Sequence, residues 1–429
     1  MTESSSDKKS ISIIVIVAAL GYFVDIYDLI LFSIVRVPSL KSLGIISNDE
    51  ILSNGVLLLN MQMAGMLIGG IIWGIIGDKK GRISVLFGSI ILYSLANAAN
   101  GMVQNITQYE ILRFIAGIGL AGELGAGITL VSEIMSKEGR GYGTTIVATI
   151  GILGAVAAAL VGDAFEWRVA YFVGGGLGIL LLFLRIGVYE SGMFKNILTG
   201  NVSRGAFHQL FTSRKRFFKY IKCIFIGMPL WFTVGILITF SPEFASKMGI
   251  AGTISAGKAV MYCYIGLAIG DLGSGLLSQL FKSRKKIIFA FLIITNVFIV
   301  FYLFANHFSS FYFYTMCVML GIGCGYWALF VTNASEQFGT NLRATVTTTT
   351  PNFVRGSVIP LTTLFLYLQG RSSIDFYVYR VHINIPPIFN ISLLYAALIV
   401  GMLVMIIAYI STLRTEETFG KDLDYIEEI

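Results

Sequence analysis

Charge is what this chain of 429 residues has least of: Asp, Glu, Lys and Arg together make up 13%. Soluble domains carry roughly a quarter, so a water-facing surface on all sides is excluded. Proline is scarce, at seven, and few helices can be kinked by a missing amide donor. The four cysteines (Cys223, Cys263, Cys317, Cys324) form no CxxC pair, which argues against a metal site or a disulfide framework. His208, His307 and His382 all fall between the long apolar runs, so no intramembrane histidine relay is expected. No phosphate-cradling glycine loop, metal cluster or nucleophile triad is present. ATP-driven transport by this chain and catalysis are therefore both disfavoured, and no cofactor is expected.

What is abundant is apolar: 55% hydrophobic residues, with 32 Phe and 47 Gly. Runs of about 20 apolar residues recur along the whole length, the dimension of a bilayer core. The pattern predicts twelve spans, at 11–35, 51–76, 83–103, 109–134, 142–162, 169–188, 221–241, 256–280, 287–305, 311–333, 345–368 and 388–411. The first run follows MTESSSDKKS and lacks a small-residue cleavage pattern, so it reads as a retained span rather than a signal peptide. The net charge of +7 sits in short loops, which sets topology and does not suggest nucleic acid. With both termini cytoplasmic, 22 of the 31 Lys and Arg lie on the inner side and 7 on the outer. That bias fixes the expected orientation of a multi-pass protein in the cytoplasmic (inner) membrane.

The segment 189–220, with HQLFTSRKRFFKYIK, separates two groups of six spans. It reads as a cytoplasmic linker between an N-terminal half, 1–188, and a C-terminal half with its tail, 221–429. Its basic residues suit an anionic lipid surface. An internal repeat supports the division. SEIMSKEGRGYGTT (132–145) and SEQFGTNLRATVTT (335–348) match at Ser, Glu, Arg, Thr and Thr, and both run from the fourth span of their half into the fifth. The expectation is an all-α membrane protein of two parallel six-helix repeats, with its site between the halves.

Between spans two and three stands GIIGDKKGR, residues 74–82. Gly74 and Gly77 allow close helix approach, Gly81 a tight turn, and Asp78 can accept bonds from a basic group or a helix N-terminus. The form G-x-x-x-D-(R/K)-x-G-R resembles the loop signature of the major facilitator superfamily. Its second-half counterpart, GSGLLSQLFKSRKK (273–286), keeps a basic end at Arg284 but has Gln279 near the expected aspartate. RFIAGIGLAGE (113–123), EWR (166–168), RIGVYESGMF (185–194) and EQFGTNLRAT (336–345) are similar to the metabolite–proton symporter branch, related to the sugar porters. Gly192 stands where that branch usually has proline. The resemblance implies a carrier of carboxylates, sugar acids or zwitterions, usually with protons. Span five, GILGAVAAALVGD, lacks the Gly-Pro of many antiporters, which points to symport.

An ionisable residue at mid-span costs at least about 2.5–3.5 kcal/mol, so each needs a partner, a wet cavity or a task. Asp25 and Asp28 share one face of span one. Repulsion and burial together favour the protonated form of at least one of them, as proton coupling requires. The alternative is a structural pair with a basic residue across the cavity. Arg113 opens a pattern, R-x-x-x-G-x-G, whose resemblance implies a role in proton transfer or anion binding, and it is expected to face the aspartates. Glu123 reads as a second proton carrier or as the counter-charge of Arg113. Arg355 offers a planar fork for a substrate carboxylate, or a partner for Asp271. Tyr22, Tyr27, Trp231, Trp327 and Asn333 are candidate cavity walls. Glu133, Arg140, Glu336 and Arg343 join Gly74, Asp78, Gly81 and Arg82 as gate residues at the inner span ends, and the threonines of 345–350 are expected to pack.

The expected function is secondary active transport: proton-coupled import of a small, anionic organic metabolite by a monomer, the proton being the only coupling ion. An exporter on the same fold and a non-transporting sensor or scaffold are the alternatives. Retained intramembrane charge counts against the scaffold.

Overall fold

The computed structural model describes residues 5–135, 140–186, 207–371, 374–378, 381–387 and 389–421. The first series of helices is α1 (Ser5–Ser42), α2 (Asn48–Lys80), α3 (Arg82–Asn100), α4 (Ile106–Leu120), α5 (Glu123–Ile134), α6 (Arg140–Ala164) and α7 (Trp167–Leu184). The second comprises α8 (Gln209–Thr212), α9 (Arg214–Phe232), α10 (Ser241–Met248), α11 (Ala256–Leu280), α12 (Arg284–Leu303), α13 (Ser310–Cys324), α14 (Trp327–Glu336), α15 (Thr340–Gly356), α16 (Val358–Leu368) and α17 (Leu393–Leu413). Eleven helical stretches among the described residues are long and apolar enough to cross a membrane. The remaining expected span, 345–368, is present but parted at Gly356–Ser357 into α15 and α16. One element departs from the all-helical expectation. A run of alternating β-branched and aromatic residues, which favours strand, forms an antiparallel hairpin of β1 (Ile374–Val378) and β2 (Val381–Ile385), so His382 lies in a strand.

Three other spans are also interrupted. Span four breaks at Ala121–Gly122, between α4 and α5, and span ten at Gly325–Tyr326, between α13 and α14. Span seven carries Pro229 and continues from α9 into a π-helical turn, Thr233–Ile238. Irregular backbone is tolerated at membrane depth only when protein covers it, and every residue of that turn is buried. Helix α9 also starts at Arg214, before the expected 221. Its basic residues bond back to the chain: Lys219 Nζ donates to the Gln337 carbonyl at 2.8 Å and Lys222 Nζ to that of Arg414 at 2.8 Å. The first part of the expected linker, to residue 206, lies outside the described residues.

The repeat is legible in how helices touch. A side chain on Gly65 or Gly69 of α2 would run into the Phe114 and Ile118 carbonyls of α4, and one on Gly117 into the Gln62 carbonyl. The second half does the same with α11 and α13: Gly266 and Gly270 abut the Val318 and Ile322 carbonyls, and Gly321 abuts the Cys263 carbonyl. Backbones meet here with no side-chain layer between them. The halves join along two seams, α2 against α15 and α6 against α11. Large apolar side chains such as Leu160, Phe183, Leu276 and Ile406 point outward, as a lipid-facing surface requires. The four cysteines are buried and free.

Helix α1 is seated on α6 by the same device, since a Cβ on Gly154 would lie 1.9 Å from the Phe23 carbonyl oxygen. We expect Gly154→Val to lower stability by about 1–3 kcal/mol or more, as overpacking does. Gly176→Ala, where nothing lies within 4 Å, should be neutral; thermal unfolding in detergent compares the two.

Candidate functional site

Three residues turn a helix by about 300°, which leaves Asp25 and Asp28 about 60° apart on α1 and gives them different neighbours. Asp25 faces the second half, its Oδ2 3.9 Å from Arg355 Nη2. Asp28 faces into the first half, against Gly174 of α7, close enough to Asn97 and Arg113 for both to act on its carboxylate. Both carboxylates are fully buried, and none of their four oxygens accepts a hydrogen bond from the protein.

Arg355 occupies the boundary between the halves. Its guanidinium carbon lies 5.8 Å from the ring centres of both Trp231 and Trp327, and its Nη1 donates to Asn352 Oδ1 at 3.3 Å. Its Nε and Nη2, like Trp231 Nε1, have no hydrogen-bond partner in the protein. Trp327 Nε1 donates to the Tyr22 hydroxyl at 3.0 Å, bridging the halves at mid-depth. Asp271, the alternative partner for Arg355, is engaged elsewhere. Its Oδ1 accepts the Ala328 amide at 3.1 Å, capping the restart of span ten at α14.

Several expected site residues lie elsewhere. Tyr27 donates to the Ala170 carbonyl at 3.0 Å and so turns into the first half, away from Arg355. Asn333 accepts from the Thr418 hydroxyl at 3.1 Å near the chain's end, not at the centre. Arg113 makes no ion pair with either aspartate. Its guanidinium lies over the Phe32 ring, 4.5 Å from the centre, and none of its nitrogens has a hydrogen-bond partner. Glu123 is not its counter-charge. Arg185, at the end of α7, binds Glu123 through both guanidinium tips and also donates to the Leu86 carbonyl at 2.9 Å. Gly21 of α1 packs directly on this pair, with no room for a Cβ. Nothing local in the sequence joins positions 123 and 185, although the arginine-bearing stretch after span six was its one signal.

Both ends of the bundle are closed by contacts between halves. At the Gly74–Arg82 turn, Asp78 accepts the Thr345 amide at 3.1 Å and the Thr345 hydroxyl, while Gly81 takes the positive φ of 97° that the turn needs. Arg82 lies 3.9 Å from Asp78 and donates to the Gly77 carbonyl at 3.0 Å. Within the threonine run, Thr347 and Thr349 bond the carbonyls four residues back. At the opposite end, Arg36 is fully buried and reaches Glu243 of α10 with 2.7 and 3.0 Å bonds. Ser33 and Thr239 meet there at 3.0 Å. Above this lock opens a cavity of about 460 Å³ lined in part by Lys41, Asp49, Lys247 and Arg371. The lock joins residues 207 apart in sequence, and no motif announces it.

The second-half turn, which lacks the aspartate, is served from the tail. Glu417 accepts the Ser283 hydroxyl and the amides of Arg284 and Lys285, capping α12. Glu336 pairs with Arg284 at 3.4 Å and accepts the Thr418 hydroxyl at 2.8 Å. Arg343 donates to the Phe338 carbonyl at 3.5 Å. The side chains of Glu133 and Arg140 lie outside the described residues.

Two six-helix repeats, closed at both ends around a buried charged centre, define a polytopic membrane protein of the secondary-transporter class. The chain belongs to the Major Facilitator Superfamily, whose family model matches residues 12–359. Over its full length it is similar to the proton:xylose symporter XylE, at a TM-score of 0.69 and 15% identity, covering 97% of this chain and 98% of that one. By sequence it is similar to a putative metabolite transport protein of Haemophilus influenzae, 31% identical over 44% of this chain and 46% of the relative. It also resembles the niacin transporter NiaP of Acinetobacter baylyi, 34% identical over 28% of each chain, and that organism's benzoate transport protein, 28% identical over 39% of this chain and 37% of the relative. The matched stretches span less than half the length of these relatives. All three are transport proteins, not enzymes.

Removing one member of a buried ion pair strands the other, at about 3–5 kcal/mol. Glu123→Gln should therefore lower the unfolding midpoint far more than the paired Glu123→Met/Arg185→Met replacement. For Glu417, burial alone would raise the pKa, but the bonds from Ser283, Phe419, Arg284 and Thr418 outweigh it and hold the carboxyl below the usual glutamate range. A depressed pKa contributes stability that is present above the unfolded value and lost as pH falls through the folded one. Tail docking should thus persist through mildly acidic pH and fail only below the ordinary glutamate range. Hydrogen exchange of residues 414–421 against pH, with Glu417→Gln as the released reference, measures it.

Proposed function

We propose that this chain is a proton-coupled symporter that imports a small, planar carboxylate by alternating access, as a monomer in the cytoplasmic membrane with both termini inside. The observation that carries the reading is Arg355: a permanent cation between two indole rings, incompletely bonded, at the boundary of the halves. A guanidinium fork matches a carboxylate in geometry and charge, and the two indole rings beside it offer flat apolar faces to a conjugated body. Relatives named for niacin, benzoate and cis,cis-muconate transport lend support. The excess of Lys and Arg on the presumed inner side supports the orientation.

Coupling follows from competition. While Asp25 is ionised it attracts Arg355, and a substrate anion would enter beside a carboxylate. Once Asp25 takes a proton, Arg355 is left for the substrate. One proton accompanying a monoanion moves no net charge, so the membrane potential adds nothing. A second proton, on Asp28, would add about 2.3 kcal/mol per 100 mV. The six-helix halves 1–188 and 221–429, joined by 189–220, would rock about this centre.

Proteoliposome uptake of labelled nicotinate and muconate under an imposed pH gradient tests the reading. We expect gradient-driven accumulation, and Arg355→Lys should weaken apparent affinity about tenfold or more, ~1.4 kcal/mol. Asp25→Asn should abolish accumulation yet leave counterflow measurable, and Asp28→Asn should cut accumulation to what one proton per anion can drive. Accumulation at the wild-type level in either variant defeats the coupling assignment of that residue, and efflux without influx would favour an exporter.

A further inference from the structure

Asp28 does not open onto Arg355. It faces a buried polar compartment between α1, α3, α4 and α7, and that compartment is built in a way the substrate route does not require. The Tyr109 and Tyr171 hydroxyls are 2.7 Å apart, both fully buried. Their rings are fixed by Trp167, which stacks on Tyr109 at 6.1 Å and meets Tyr171 edge-on at 6.3 Å, and by Phe32 against Tyr109 at 5.7 Å. Arg113 and Asp28 lie close enough to Tyr171 to act on it electrostatically, and the Ser39 hydroxyl lies beside Tyr109. Ser39 is buried, but Lys41 and Ser42, within the same turn, are exposed at the end opposite the Gly74–Arg82 turn. A row of hydroxyls therefore runs from the Asp28 compartment towards that surface.

A second, independent observation points the same way. Both side-chain atoms of Asn97 and of Asn100, with Ser94 Oγ and Trp167 Nε1, are buried and have no hydrogen-bond partner in the protein. In a low-dielectric interior such groups cost about 1–3 kcal/mol each unless bonded, and polar sites of this kind hold ordered water. The glycine face of α7 makes the space: a Cβ on Gly174 would strike Asp28 and one on Gly178 would strike Ser94.

We propose that Tyr171 and Tyr109, with Ser39 and water held by Asn97 and Asn100, form a proton relay that loads Asp28 from the end opposite the Gly74–Arg82 turn, by a route separate from the substrate's. The proposal rests on the reading of Asp28 as a coupling residue. The balance is simple. Ser39, turning from the Arg36 carbonyl to which it otherwise donates at 3.0 Å, passes a proton to Tyr109 and regains one from water on the surface side. Tyr109 gives its own to Tyr171, and Tyr171 gives its own, through water, to the Asp28 carboxylate. Each phenol gains one proton and loses one, so neither changes charge. Arg113 keeps its proton and repels a free hydronium, which favours transfer along hydroxyls. The other charged or titratable groups facing Asp28 are Asp25 and Tyr27 on α1 and Tyr93 on α3.

Infrared spectroscopy after a rapid pH jump, on the full chain in detergent, tests the relay through the carboxyl stretch that disappears in Asp28→Asn. Tyr109→Phe and Tyr171→Phe keep the ring packing and remove only the hydroxyls. Each should leave the final band intensity unchanged and slow the band's appearance about tenfold, less than the ~hundredfold of a lost acid–base group because water can refill the gap. Ser39→Ala, which alters no ring, should slow it in the same direction. Wild-type kinetics in all three variants overturns the relay while leaving the coupling reading intact. If no titrating band is lost in Asp28→Asn, the coupling reading falls and the relay with it.

Discussion

A guanidinium that cannot shed its proton, surrounded by hydrocarbon that offers no hydrogen bonds, must find its partners inside the bundle. Arg355 finds one carboxylate at 3.9 Å, one amide oxygen and two indole faces, and is left short of acceptors. The rest of the centre is arranged around that deficit. Asp25 is turned towards it, Asp271 is kept from it by the start of α14, and the Tyr22–Trp327 bond holds the two halves together beside it. A fully satisfied arginine would be a structural rivet. An unsatisfied one keeps donors in reserve at the boundary of the halves.

The architecture could be read from the sequence because it rests on features the chain repeats: twenty-residue apolar runs, a basic inner-loop bias, and a Ser-Glu…Arg…Thr-Thr echo between halves. The intramembrane charges Asp25, Asp28, Arg113, Glu123 and Arg355 stood out for the same reason, since an ionisable group in an apolar run needs a partner or a task. Their partners did not. Asp25 and Asp28 share a helix face by periodicity, yet about 60° of rotation sends one to Arg355 and the other to Asn97 and Arg113. Glu123 binds Arg185 and Arg36 binds Glu243 across long stretches of chain, and pairing at that range is decided by tertiary packing, for which a single sequence carries no record. Tyr27 and Asn333 show the opposite error: aromatic and amide residues of the expected type, turned by packing to unrelated carbonyls and hydroxyls.

The two ends of the bundle close by different means. At the Gly74–Arg82 turn a carboxylate meets backbone and hydroxyl donors of α15. At the other end a buried arginine meets a partly exposed glutamate, with Phe240 stacked at 4.7 Å. The second-half turn, lacking its aspartate, borrows Glu417 from the tail to cap α12, but that contact stays within its own half. Among the described residues, Asp78 is the turn acid that reaches across to the other half.

The glycine contacts have a mechanical consequence. Where α2 meets α4, and α11 meets α13, backbone rests on backbone, and there is no layer of flexible side chains to shear. Each pair behaves as a stiff girder. Compliance is then confined to the seams α2–α15 and α6–α11, where threonine and asparagine side chains intervene. Work done on this protein by a transported solute is expected to appear as sliding and tilting along those two seams, with little stored as bending in the beams themselves.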